Sequence, residues 1–216
     1  RVAKATFHEA WRRRFLNGIL IFAVLIIGSS WVFAYLQPGA ELQMLLDIGL
    51  GSIRFFGMLI AIFLGVRLIP DEIERRTIHT ILAKPVSRAQ FLLGKFFGGL
   101  TTVAFNVLLM GIAFYIVFVL KAPGYLAEKP EQAMMVQAMY GSVAKAILLA
   151  FFELFLVLGI AVVASTLFSW VLSVIFTFFV YFTGQMADFF KQLSDPQAGA
   201  SPAAQVLLGA IYRILP

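Results

Sequence analysis

The sequence predicts an all-α integral membrane protein, and three observations carry that prediction. Of 216 residues, 61% are hydrophobic and only 13% charged, with a mean hydropathy of +0.93. A soluble domain carries about a quarter of its residues as charges, so this chain has too few to cover a globular surface. Apolar stretches of the roughly 20 residues needed to cross a hydrocarbon core about 30 Å thick recur along the chain. The basic residues, finally, gather beside alternate ends of those stretches, as they do where Lys and Arg set orientation. The absence of cysteine excludes disulfide scaffolds, thiolate metal sites and cysteine nucleophiles.

The chain reads as a single transmembrane domain over residues 1–216, taken in order as follows. Residues 1–15 are Arg-rich, yet Phe7, Trp11 and Phe15 recur at spacing four on one helical face, and Thr6 with Glu9 forms a capping box. An interfacial amphipathic helix fits this pattern, and so does a simple basic flank that sets topology. The first span, 15–36, is too long for a secretory signal and no cleavage site followed by a polar domain appears. A second span covers 48–69 and a third 97–120.

The run from Leu154 to Ala187 contains no charge over 34 residues, which as one helix would reach about 51 Å. It is therefore read as two spans, 144–167 and 169–186, joined by a tight hairpin near Ser165 to Trp170. Residues 187–216 read as an outer loop ending in an interfacial or re-entrant segment too short to span. Five spans leave the C-terminus outside, and a sixth helix is expected beyond Pro216.

With the N-terminus cytoplasmic, eleven basic residues lie inside, five outside and Arg54 within a span. Four acids lie inside, so the inner side carries +7 against −1 outside. The basic excess thus orients the chain in the cell inner (plasma) membrane as a multi-pass protein, and argues for no nucleic-acid partner.

The cytoplasmic connection from Ile69 to Lys95 is the most informative. Pro70 suits a first helical position, and Asp71, Glu72 and Glu74 then occupy the first turn, where the helix dipole favours acids. Ile78, Ile81 and Leu82 form an apolar stripe, and Pro85 stops the helix. Ser87 with Gln90 is a second capping box, stapled by Val86 and Phe91, so a new helix begins at Arg88 and runs into the third span. The resulting short helix over 71–85 projects charge and an apolar edge, a shape that docks into a groove on a partner. A bland, well-capped loop helix has the same pattern.

These residues carry a resemblance. Glu72-Ile73-Glu74-Arg75-Arg76-Thr77, then Leu82, then Pro85-Val86-Ser87-Arg88, then Gly94-Lys95 resembles the signature of ABC-2 type transporter permeases, the membrane subunits of type V ABC exporters. Arg76 stands where many members have Gly. The likeness extends to the basic aromatic N-terminus and the order of spans. It implies six spans and a coupling helix within 71–85 that contacts a cytoplasmic ABC ATPase, through Glu72, Glu74, Arg75, Thr77, Ile78, Leu82, Pro85, Val86, Ser87 and Arg88. It further implies a second permease copy, identical or related, and ATP with Mg held by the ATPase rather than by this chain.

The residues themselves agree that the chain is no nucleotidase. No G-x-x-x-x-G-K-[ST] occurs, and Gly94-Lys95, at the entry to the third span, lacks both the earlier glycine and the following hydroxyl. No HExxH, no G-x-S-x-G and no paired intramembrane aspartates support an enzyme of the membrane interior, and His8 and His79 are the only imidazoles.

Two charges lie within spans: Arg54, about 9 Å from the outer end of its span, and Glu153, about 14 Å. They can line a cavity, or pair across an interface that changes during transport. Equally, Arg54 can snorkel outward and Glu153 can serve Lys145 or neighbouring hydroxyls. Gly94 and Gly98 form a G-x-x-x-G near the cytoplasmic end. The aromatics of the fifth span, from Phe176 to Phe182, surround the helix, which fits a lipid-facing and packing surface better than a stripe lining a substrate path.

The function these features lead to is an ATP-driven exporter subunit in contact with membrane lipid. Two rivals stay open: an ABC-type anchor that moves a periplasmic partner without transport, and an ATP-independent channel or carrier, which the scarcity of intramembrane titratable groups disfavours.

Overall fold

The computed structural model describes residues 14–36, 40–70, 88–128, 131 and 133–194. Residues 1–13 of the expected interfacial helix, the expected coupling helix over 71–85 with residues 86 and 87, and the segment 195–216 lie outside the described residues.

Five helices account for nearly all of the described chain: α1 (Arg14–Ala34), α2 (Glu41–Arg67), α3 (Arg88–Glu128), α4 (Ala133–Leu167) and α5 (Trp170–Ser194). α1 to α4 are long and apolar enough to cross a membrane, while the apolar part of α5 is Trp170–Met186, 17 residues. The first three positions follow from apolar stretches of membrane-crossing length, interrupted within α2 by Asp47 and Arg54, and α3 begins at Arg88, directly after Ser87.

The helices extend further than the lipid-length spans suggest. α3 continues past Lys121 and through Pro123 to Glu128, α4 starts at Ala133 rather than near 144, and α5 runs on from Met186 to Ser194. Charged and polar residues end a hydrophobic run but not a helix, because Lys, Glu, Gln, Met and Ala are all good helix formers. Pro123 lies inside α3, where its missing N–H leaves the Val119 carbonyl without its usual donor and weakens the final turns of the helix.

α4 and α5 are separated only by Phe168 and Ser169. The last carbonyls of a helix have no partner in their own helix. Here the Phe168 N–H donates to Ala164 O at 2.9 Å. The buried Ser173 Oγ reaches back from α5 to lie 2.9 Å from Ala164 O, 3.0 Å from Ser169 O and 3.3 Å from Phe168 O. That hydroxyl lets a sharp reversal close against the bundle.

Neighbouring contacts give the order. Phe15 stacks edge-on with Phe63 and Phe22 with Phe56, so α1 and α2 are antiparallel. Gly49 meets Phe114 while Gly99 meets Leu68, making α2 and α3 antiparallel. Gly57 meets Leu154 and Gly65 meets Ala161, so α2 and α4 run parallel. The bundle therefore alternates up and down, with α2 packed against all four other helices. The end of α1, the start of α2, the end of α3 and the start of α4 lie at one end, hereafter the far end. Leu68, Arg88 and the α4–α5 turn lie at the other, the near end.

Close packing on α2 rests on one row of residues: Gly49, Ile53, Gly57, Ala61 and Gly65, all buried. A four-residue step turns the row by about 40°, so its ends face about 160° apart. Gly49 accordingly meets α3 and Gly65 meets α4. A Cβ on Gly65 would stand 2.6 Å from Ala161 Cβ and 3.3 Å from Leu158 O, so only glycine permits this approach of two backbones. Without a hydrophobic force between helices in lipid, such small-residue contacts are what hold them together.

Hydroxyls inside the bundle are satisfied by their own helices. Ser30 donates to Ile27 O, Ser52 to Ile48 O, Thr102 to Gly98 O and Thr177 to Ser173 O, which removes the cost of an unpaired polar group in an apolar interior.

Candidate functional site

Three polar arrangements stand within or at the ends of this apolar bundle. At its middle, Arg54 is the central residue of α2, 13 residues from each end of a 27-residue helix. Because α2 begins at Glu41, Arg54 sits about 20 Å from the far end of its own helix, deeper than a span starting at residue 48 implies. Its Nε lies 3.8 Å from Glu153 Oε2 of α4. The other carboxylate oxygen, Oε1, accepts a hydrogen bond from Gln185 Nε2 of α5, and Tyr181 of α5 stands beside the same carboxylate. Glu153 thus pairs with Arg54 and Gln185 and ties three helices together.

Each charge alone would cost at least about 2.5–3.5 kcal/mol at mid-membrane, and opposite charges held together offset part of this. The pair is still open to its surroundings, with side chains 44% and 27% exposed for Arg54 and Glu153.

At the far end, Lys121 of α3, one of the five basic residues assigned to the outer side, is buried. Its Nζ lies 3.2 Å from Glu41 Oε2 at the start of α2. It also stands 3.3 Å from the ring centre of Tyr35 and 5.7 Å from that of Trp31, a cation over aromatic faces. This cluster clamps the end of α1 to α2 and α3. The signal that could have found it is the spacing of Trp31 and Tyr35, four apart at the end of an apolar helix, where interfacial aromatics gather. Nearby, Leu42, Leu46, Tyr125 and Met139 help to line an open cleft of about 360 Å³.

At the near end, Arg67, the last residue of α2, places its guanidinium 5.4 Å from the ring centre of Trp170, the first residue of α5. Leu68 packs at Gly99 of α3, and Leu158 of α4 lies beside both Gly65 and Gly99. The two helices that bracket residues 71–87 therefore converge on the same part of α4. Of the sequence-selected residues, Glu72, Glu74, Arg75, Thr77, Ile78, Leu82, Pro85, Val86 and Ser87 lie outside the described residues. Arg88 opens α3, Gly94 is half-buried and Lys95 is buried within it. Among the described residues no group of three His, Cys, Asp or Glu is placed to hold a metal ion.

Comparison with known proteins supplies the family. The model of the ABC-2 family transporter protein matches residues 2–212. Among curated proteins, the chain is 36% identical over 112 residues to a protein of Stutzerimonas stutzeri named "Probable ABC transporter permease protein NosY", covering 50% of this chain and 41% of that one. It is 34% identical over 134 residues to the protein of the same name from Pseudomonas aeruginosa strain PAO1, covering 60% and 46%. The matched stretches thus span less than half the length of these relatives. A family match over almost the whole length, on a chain folded into apolar membrane-length helices, shows that this chain belongs to the ABC-2 family of transporter proteins.

Proposed function

We propose that this chain is the membrane subunit of an ATP-driven exporter, and that it takes mechanical input from a separate cytoplasmic ATPase through residues 71–85. The observation that carries the proposal is the position of that segment. It joins α2, the helix packed against all the others, to α3, and both emerge against the same stretch of α4. A displacement applied there reaches the whole bundle through α2 and reaches α5 through Arg67 and Trp170.

In this reading α5 is a fifth crossing, since its apolar segment of 17 residues falls at the short end of the range that spans a bilayer. The near end faces the cytoplasm of a cell whose inner membrane holds the protein, and a second permease copy, identical or related, completes the complex. ATP and Mg are held by the ATPase, and this chain contributes no catalytic residue.

The experiment is reconstitution of the chain with its ATPase in sealed vesicles. ATP-dependent movement of solute across the bilayer is the expected result. ATP hydrolysis that alters a periplasmic partner with no solute movement would replace export by a mechanical or signalling role, and exchange of solute with no ATPase present would replace it by a channel or carrier.

A further inference from the structure

Exposure along α2 is selective. In the half nearer the far end, its exposed residues are Gln43, Asp47, Gly51, Arg54 and Phe55. The first four recur once per turn along one face, and none of them is aliphatic. On α1 the exposed large residues are those lipid requires, Ile21, Phe22, Leu25 and Val32, and on α4 Leu148, Leu149, Phe152 and Leu156; nearer the far end α4 also exposes Gln137, Ser142 and Lys145.

The polar face begins at the end of the helix and leads to the Arg54–Glu153 pair at its middle. Arg54 is too deep for its side chain to reach the headgroups, so snorkelling does not explain its exposure. Gly51 has nothing within 4 Å of where a Cβ would stand, so the face is open rather than filled by the chain's own side chains.

We propose that this face of α2 is the wall of a water-filled vestibule, open at the far end, floored by Arg54, Glu153 and Gln185, and suited to a hydrophilic solute. Gln43 and Asp47 hydrate its mouth, and the paired charges of opposite sign at its floor accept dipolar or zwitterionic groups without a net field. Its role in transport rests on the permease reading; its existence as a hydrated face does not.

These 216 residues hold no cysteine, so labelling read on this chain alone, after its separation from the ATPase, reports the introduced thiol. Gly51→Cys and Asp47→Cys probe the proposed wall, and Gly28→Cys on the apolar face of α1 is the control. Gly28 is also open, with nothing within 4 Å of a Cβ, and it lies closer to the far end than Gly51, at six residues from the end of α1 against ten from the start of α2. Depth alone therefore favours labelling of the control.

The full chain, with its ATPase in membranes, is treated with a charged, membrane-impermeant maleimide from each side in turn. Gly51→Cys and Asp47→Cys are expected to react at least about tenfold faster than Gly28→Cys, because the reactive thiolate forms in water and not in apolar surroundings. Reaction as slow as that of Gly28→Cys at both positions, with all three labelled fully after denaturation in detergent, would overturn the vestibule. Slow labelling with the ATPase still bound sinks the vestibule alone. Fast labelling at a rate that ATP does not change upholds the vestibule and counts against the permease reading.

Discussion

Arg54 and Glu153 face each other at 3.8 Å between the middle of α2 and α4, and Gln185 holds the second carboxylate oxygen from α5. Removing one member leaves the other charged and unpaired at mid-membrane, whereas removing both leaves a neutral site. Glu153→Leu and Arg54→Leu are each expected to lower thermal stability of the purified protein. The double variant should recover part of the loss, with a coupling of about 1 kcal/mol or more in a double-mutant cycle. Strict additivity would mean the pair contributes nothing. Glu153→Gln, which keeps shape but not charge, is expected to assemble normally and to lower substrate-stimulated ATP hydrolysis severalfold.

The approach of α2 to α4 at Gly65 leaves no room for a side chain beside Ala161 and the Leu158 carbonyl. Gly65→Leu should lower stability by about 1–3 kcal/mol through overpacking, while Gly51→Ala, in open space on the same helix, should leave it unchanged or raise it slightly. Thermal unfolding of both variants in one detergent checks the contrast.

At the far end, Lys121→Met leaves the Glu41 carboxylate without its cation partner beside Tyr35. Breaking a buried pair from one side costs more than removing both charges, by about 3–5 kcal/mol where burial is complete. Lys121→Met is expected to destabilise more than Lys121→Met with Glu41→Gln, and proteolysis of the connection between α1 and α2 should follow the same order.

Trp170→Ala removes the ring beneath Arg67 and should cost about 0.5–1 kcal/mol in stability, the scale of an exposed cation–π contact. If this contact passes motion from α2 to α5, ATPase association should stay intact while ATP-dependent transport falls. A fall in both together would place the residue in assembly instead.

Much of this architecture is legible in the sequence because hydropathy and charge report directly on lipid. The uncharged run from Leu154 to Ala187 is too long for one crossing and so reveals the α4–α5 turn. Helix ends outside lipid leave no such trace. Lys121 and Lys145 interrupt the apolar pattern without interrupting α3 or α4. Partners are hidden for a different reason: Arg54 and Glu153 are recognisable as costly intramembrane charges, but their pairing depends on the packing register of two helices far apart in sequence. Lys121 reads as a surface charge because only the arrival of Trp31, Tyr35 and Glu41 from two other helices buries it.

The central claim is that residues 71–85 receive the ATPase. Co-purification of the ATPase with the full-length chain, compared among wild type, Glu74→Ala and Leu82→Asp, tests it most directly. The account predicts that Leu82→Asp abolishes association and Glu74→Ala weakens it, with the membrane bundle itself folded and thermally unchanged. Undiminished association in both variants would contradict it.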